Sequence, residues 1–411
     1  MTAMTKTEFV RTAVIIIAAF FAYGVVAGLR ATSSVFTADI SALTGISYGT
    51  VSDIATIRNL LFAISCPIWG FLTLRKPHSF VMILGLILVA VGFAGLVLLP
   101  NMAGLIIFQG ICFGIGAAAV CYSIVYAAAA PFLSPGLVAV FAGLLSMAQG
   151  VFNIILAPIV NASTGVPGGF LVCMVLIGAF LAALIPVMLF FRWHNTNTQA
   201  VSSVSDAGYS SVKDTLKTMV KSPFFYLLAA SFLIYGLCDG EMVNHLTQRA
   251  TECMGFSLET ATFLVMLYGV ALIIGPFLGG LILSRLRNRR AGIAAIFLFW
   301  AVAGVIFHFA VHANEAVAPV FTLLIGLSIS MSVPFHAMLL QEHVPLKCFA
   351  QVFSIISAFP IIGYAVNAFF GGLCFDKTGS FIAFDSIIIG LACLIGIVYL
   401  VLGLRKRGQT A

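Results

Sequence analysis

The chain has 411 residues, 62% of them hydrophobic and 8% charged, with a mean hydropathy of +1.15. Such a composition excludes a water-soluble globular protein, and apolar runs of helical length exclude an outer-membrane barrel, whose signature is alternation over about ten residues. The formal charge of +7 is spread over short loops without the basic stripe and interleaved aromatics of a nucleic-acid surface, so it reads as membrane topology.

About twelve spans are predicted, starting near Thr12, Ser47, Phe80, Ala103, Leu137, Gly168, Pro223, Ser257, Ala291, Ala316, Phe349 and Phe381. The first is too long, and too poor in a small-residue cleavage site, to be a removable signal peptide. It carries Phe20-Phe21-Ala22-Tyr23-Gly24 followed by Gly28, a pattern that returns in the seventh span as Phe232-Leu233-Ile234-Tyr235-Gly236 followed by Gly240. Ser47, Thr50, Gly70 and Arg75 then match Ser257, Thr260, Gly280 and Arg285. The fold expected is therefore an all-α polytopic membrane protein of two six-helix pseudo-repeats, residues 1–194 and 223–411. Residues 195–222 form the polar linker, in which Val212, Leu216 and Met219 at helical spacing predict a short helix on the cytoplasmic surface. A repeat of this kind is how many secondary transporters are built, with the substrate near the bilayer midplane where the repeats meet.

With the N-terminus inside, sixteen of the twenty Lys and Arg residues fall in cytoplasmic segments, including Arg75, Lys76, the run Arg285 to Arg290, and Arg405 to Arg407. Only Arg249 and Lys377 fall on the outer side, so both termini are expected in the cytoplasm and the chain in the plasma (inner) membrane. The nine cysteines lie almost all in apolar spans, without metal-ligand or redox spacing, and read as small hydrophobes. No cofactor and no metal is expected. Gly110, Gly114 and Gly116 lie within an apolar helix, where small residues permit close packing rather than cradle phosphate. The sequence has no Walker motif, no His-Glu-x-x-His and no soluble stretch large enough for an ATPase, so energy is expected to come from ion or solute gradients.

An ionisable group inside a span costs about 3 kcal/mol on insertion scales and usually faces a water-filled cavity, a partner or a substrate. Arg30, in the outer half of span one, has a planar fork that takes a carboxylate in two parallel hydrogen bonds. It can equally bridge to Asp53 or Asp239, or snorkel to the headgroups. Arg58 lies roughly 16 Å into span two, too deep for snorkelling, and either binds substrate or locks span two to span eleven. Asp53 is about 140° around the helix from Arg58 and makes no simple pair with it. In span seven Glu241, His245 and Arg249 recur at four-residue spacing along one face, while Asp239 looks elsewhere. Asp239 and Glu241 read as the only acids deep in the C-terminal half, so Asp239, Glu241 and His245 are the expected proton-coupling residues, or else an outer gate. His308 and His312 read as structural. His336, Tyr122 and Tyr126 in span four, Gln149 and Asn153 in span five, and Tyr364 and Asn367 in span eleven are further substrate-binding candidates.

Twelve spans in two repeated halves, a long central loop and short basic loops after spans two and eight resemble the major facilitator superfamily. In those loops Gly70, Arg75, Gly280, Arg285, Arg289 and Arg290 fit, whereas Leu74 and Ser284 stand where the family carries an acid. Three further stretches resemble the monocarboxylate and oxalate/formate-antiporter-like branch. They are Gly28-Leu29-Arg30 with Gly45-Ile46-Ser47, then His245-Leu246 before Gly255-Phe256-Ser257, and Gly371-Gly372 before Asp376 and Gly379. That branch commonly carries Arg before Pro in span eight, as a carboxylate anchor; here Gly275 precedes Pro276. The repeat aligns Gly275 with Ser65, and Arg58 lies on the face of Ser65, so the anchoring charge is expected to have moved to the N-terminal half.

The expected function is secondary transport of a small organic anion, monocarboxylate-like, by alternating access, with proton symport or anion exchange. Alternatives are a zwitterion or amino-acid carrier, a proton-coupled exporter of cationic drugs, and a transport-like sensor; no enzymatic motif is found. The expected partners are the anion, a proton or counter-anion, and the lipid bilayer, with no oligomer required.

Overall fold

The computed structural model describes residues 6–31, 40–41, 43–46, 48–164, 168–188, 212–310 and 315–408. These residues are helical, with no strand among them. Eleven helices are long and apolar enough to cross a membrane, and the second span adds the apolar stretch Ile57–Leu72 of helix Tyr48–Leu72. Keeping the span numbers used above, span one is Lys6–Ala31 and span three His78–Leu98. Span four, Met102–Phe132, contains a π-helical stretch, Leu105–Cys112. Span five is Pro135–Thr164, and span six begins with Gly169–Ala183. The linker helix Val212–Lys221 is followed by span seven, Pro223–Gln248, and a π-helical turn, Arg249–Cys253. Spans eight and nine are Leu258–Arg285 and Arg289–Ala310. Spans ten and eleven are each broken once, as Ala318–Ser330 with Ser332–Gln341 and Leu346–Ile356 with Ala358–Thr378. Span twelve is Ile382–Gly408.

Short polar signals end these helices where the sequence changes. Ser222 caps span seven, its Oγ accepting from the Phe224 N–H at 3.2 Å with Pro223 in the first turn, and Ser257 caps span eight by accepting from the Thr260 N–H at 3.1 Å. The turn into span two carries Gly45 at φ 69° and the turn into span eight Gly255 at φ 72°, a left-handed conformation that costs glycine little. The two glycines hold equivalent places in the sequence repeat, so the repeat reaches down to the backbone conformation of its turns.

The chain divides into two compact units. One comprises residues 1–141, 148–216 and 344–358; the other comprises 142–147, 217–343 and 359–411. In the first unit span four packs against both span two and span three. Span six packs on span three, and the first part of span eleven lies against spans two and four. Gly85 and Gly116 bring spans three and four together, for a Cβ on either would stand 2.8 Å from the other's carbonyl oxygen. Gly70 does the same between spans two and eleven, where a Cβ would meet Ser354 Cβ at 2.8 Å and Gln351 Nε2 donates to Gly70 O at 2.9 Å and to Thr73 Oγ1 at 2.7 Å. The link between spans two and eleven thus runs through Gly70, twelve residues beyond Arg58.

In the second unit span nine packs along span twelve, span eight along span ten, and span seven against spans eight and twelve. Gly236 and Gly363 place the backbones of spans seven and eleven in contact with Pro360 and Leu233, an approach that any side chain would prevent.

Candidate functional site

In the first unit the sequence places two guanidinium groups inside apolar helices. Arg58 is 5% exposed, and its Cζ lies 5.0 Å from the centre of the Phe113 ring. At Gly114 span four comes close to the backbone of span two beside Arg58, for a Cβ there would stand 2.7 Å from the Arg58 carbonyl oxygen. Arg30 is half-buried, with its Cζ 4.8 Å from the centre of the Phe62 ring. Neither arginine forms an ion pair with a carboxylate among the described residues, and Arg58 Nε has no hydrogen-bond partner among them. Cation–π contact on a phenylalanine face is worth about 0.5–2 kcal/mol and does not neutralise a buried charge.

Tyr23, Tyr122 and Tyr126 line up by ring contact, Tyr23 edge-on to Tyr122 at 5.8 Å and Tyr122 stacked on Tyr126 at 5.7 Å. Both span-four tyrosines are buried, and Phe353 and Phe349 of span eleven lie 5.7 and 5.0 Å from them. Tyr23 OH points to Gln149 Oε1 at 3.5 Å. The side chains of Asn153 and Asp53, and His312 altogether, lie outside the described residues.

The second unit separates the two acids of span seven into different environments. Asp239, 3% exposed, accepts from three phenols: Tyr268 OH, Tyr364 OH, and Tyr235 OH at 3.3 Å. Three donors on one carboxylate satisfy most of its acceptor capacity. Asn367 ties spans seven and eleven together beside it, donating to Leu237 O at 3.1 Å and accepting from Asn244 Nδ2 at 3.0 Å. His245 also turns to span eleven, its Nε2 lying 3.2 Å from Asn367 O. Gly371 makes the space for that ring, since a Cβ there would meet His245 Cδ2 at 2.9 Å.

Glu241 belongs instead to a cluster drawn from three spans. Its Oε2 lies 3.2 Å from His308 Nε2 in span nine, and His308 Nδ1 lies 3.2 Å from Asp385 Oδ2 in span twelve. Arg249 clamps Asp385 with both ends of its fork, Nη1 to Oδ2 at 2.6 Å and Nη2 to Oδ1 at 2.9 Å, and Nη1 also contacts His308 Nδ1. All four side chains are at most 3% exposed, and Glu241 Oε1 has no partner among the described residues. Arg249 opens the π-helical turn that ends span seven, and such local widening of a helix is frequent where side chains must be re-aimed for function.

Three sequence expectations change here. Asp385 is a third acid buried in the C-terminal half, beside Glu241, so Asp239 and Glu241 are not alone there. His308, expected to be structural, bridges two carboxylates. Glu241, His245 and Arg249 do not act as one stripe, because His245 is drawn to span eleven. His336 is fully buried, between Ser231 Oγ at 2.8 Å and the Ser332 carbonyl at 2.7 Å, so both ring nitrogens have partners within the packed helices. The signal for Asp385 was present, an acid four residues into an apolar run; Tyr235 stood out only as the repeat counterpart of Tyr23, and Tyr268 gave no signal beyond being a phenol inside a span.

The Major Facilitator Superfamily model matches residues 15–359. An uncharacterized MFS-type transporter of Bacillus subtilis, YtbD, is 29% identical over 177 residues, which is 41% of this chain and 43% of that protein. The match thus spans less than half the length of that relative. Among solved structures, the fucose:proton symporter FucP in its outward conformation superposes over 98% of this chain and 99% of its own, with a TM-score of 0.71 and 17% identity. The FucP N162A variant from E. coli gives a TM-score of 0.68 at 16% identity, covering 97% of this chain and 99% of its own. The human organic anion transporter MFSD10 gives 0.70 at 13% identity, covering 96% of this chain and 100% of its own. By the extent of the family match and the helical architecture that carries it, the chain belongs to the Major Facilitator Superfamily.

Proposed function

We propose that the protein is a secondary transporter that moves a small organic anion, monocarboxylate-like, by alternating access, in symport with a proton or in exchange for a counter-anion. Solved structures of this fold include a fucose:proton symporter and an organic anion transporter, so the fold leaves the cargo open and particular residues must choose it. The observation that carries the reading is Arg58: a guanidinium at 5% exposure with no acid on it among the described residues. Keeping such a charge inside a span costs about 2.5–3.5 kcal/mol, and a bound carboxylate offsets that cost. Arg30 supplies a second fork in the same unit. Asp239, Glu241 and His245 are the proton-coupling candidates. Tyr122, Tyr126, Gln149 and Asn153 of the first unit and, taken by themselves, His336, Tyr364 and Asn367 of the second are the further substrate-binding candidates. One proton carried with one monoanion moves no net charge, so symport would be driven by the pH difference alone, about 1.4 kcal/mol per pH unit.

Thermal unfolding of the purified protein against lactate, oxalate, amino acids and cationic dyes tests the cargo class. A ligand that binds only the native state at a hundred times its Kd adds about 2.7 kcal/mol. Carboxylates should raise Tm most; a shift with amino acids alone would favour a zwitterion carrier, and a shift with cations alone would sink the anion reading.

The arrangement proposed with it is two halves, 1–194 and 223–411, joined by the linker 195–222, in the plasma (inner) membrane with both termini cytoplasmic. A reporter fused after Arg405 should stay in the cytoplasm, and a cysteine replacing Asn314 should react with an impermeant maleimide added outside. The reverse labelling would invert the topology.

A further inference from the structure

The Glu241 cluster carries a count of charge that the proposed transport cycle does not yet use. Arg249 and Asp385 form a bidentate pair and cancel. That leaves Glu241 and His308, whose facing atoms are 3.2 Å apart. If both gave up their exchangeable proton, the cluster would hold one net negative charge at no more than 3% exposure. With one proton on the pair it is neutral. The tautomer does not alter the count. Hydrogen on Nδ1 donates to Asp385 Oδ2 and leaves Nε2 to accept from the Glu241 carboxyl; with Nδ1 bare, that nitrogen accepts from Arg249 Nη1, hydrogen on Nε2 donates to Glu241 Oε2, and the proton sits on Oε1. A buried unpaired charge is far costlier than a neutral hydrogen-bonded pair.

We propose that Glu241 and His308 share a single exchangeable proton, and that Arg249 and Asp385 are positioning residues that hold His308 and keep the rest of the cluster neutral. In the transfer the O–H bond of the Glu241 carboxyl breaks as the imidazole Nε2 lone pair takes the proton. No electrons are exchanged, and release to water gives hydronium. Two observations point to an exchangeable ligand rather than a closed salt bridge: the buried Glu241 Oε1 lacks a partner among the described residues, and the helix widens to a π turn where Arg249 leaves it. A metal ion on the same atoms is disfavoured because the Arg249 guanidinium already occupies the cation's place on Asp385.

The other titratable groups on the surrounding helices have partners or stations of their own. Asp239 is held by Tyr268 of span eight, Tyr364 of span eleven and Tyr235 of its own helix, and His245 faces the Asn367 carbonyl. Cys238 is buried on span seven, and Glu252 and Cys253 follow Arg249 in the π turn. The role in transport rests on the proton-coupled reading above, while the proton site is tested without any cargo.

Infrared difference spectra between low and high pH, taken on the full-length protein in liposomes without substrate, report carboxylic acids directly. The band of a protonated carboxyl should vanish in Glu241→Gln and persist in Asp239→Asn. Its titration midpoint should move by about one pH unit or more, tenfold in proton affinity, in His308→Gln and in Asp385→Asn. Glu241→Asp guards against misfolding, since it should keep a band at a displaced frequency. A band that survives in Glu241→Gln, disappears in Asp239→Asn, or keeps its midpoint in His308→Gln overturns the assignment. A Glu241 band in liposomes that accumulate no anion under a pH gradient supports the shared proton and overturns only the coupled-transport reading.

Discussion

Arg249→Met is expected to destabilise the protein by about 3–5 kcal/mol, the largest single effect foreseen, because it leaves the Asp385 carboxylate buried without its cation. The pair is bidentate, both side chains are at most 3% exposed, and the Phe381 ring covers the guanidinium with its centre 5.0 Å from Cζ. Asp385→Leu should cost a similar amount for the mirror-image reason. The double variant should recover most of the loss, since two apolar side chains replace a neutral pair and the Glu241–His308 contact keeps its own proton count. Thermal unfolding of the four proteins in detergent gives the coupling energy from the cycle. Additive single losses would mean that Arg249 and Asp385 are not paired in the folded protein.

The helical architecture could be read from the sequence because its physical cause acts locally. A lipid-facing backbone must bond within its own segment, so apolar length alone announces each span. The internal repeat could be read because residue types recur in order, Tyr23-Gly24 with Tyr235-Gly236 and Gly70 with Gly280, and the left-handed turn glycines Gly45 and Gly255 follow the same register. Arg30 and Arg58 could be read for the same reason, since a charge in an apolar run is conspicuous wherever its partners are. The basic residues and glycines after span two were legible as a loop motif, but the work of Gly70 was not. Only the packed helices reveal that its missing side chain admits Ser354 and Gln351 of span eleven.

Partners across helices were the illegible part. Helical periodicity says which side chains share a face of one helix, and nothing in it says which neighbour that face meets. Glu241, His245 and Arg249 recur at four-residue spacing, yet Gly371 opens a place for the His245 ring against span eleven, while Glu241 and Arg249 meet His308 and Asp385. Those contacts join residues 67 and 136 positions apart, beyond the reach of any local pattern. Asp385 stands in the first turn of span twelve, where an acid reads as an end-of-helix charge, and only the packed helices reveal that it is buried against Arg249 and His308.

Arg58→Lys, by the same argument, should keep the charge and lose the cargo. A lysine ammonium is a point charge without the fork that takes a carboxylate in two parallel hydrogen bonds, and a charge-assisted bond is worth about 1.5–3 kcal/mol. Affinity for the best carboxylate of the thermal screen should therefore fall roughly ten- to a hundredfold, and Arg30→Lys should act in the same direction. Arg58→Met separates binding from architecture. If Arg58 waits unpaired for an anion, removing its charge relieves the empty protein of a burial cost, so its Tm without ligand should hold or rise while the carboxylate-induced shift disappears. If Arg58 is a structural lock, the same substitution should lower that Tm and leave carboxylate binding in place. Wild-type affinity in both lysine variants would remove the arginines from the site, and with them the reason for preferring an anion over a zwitterion.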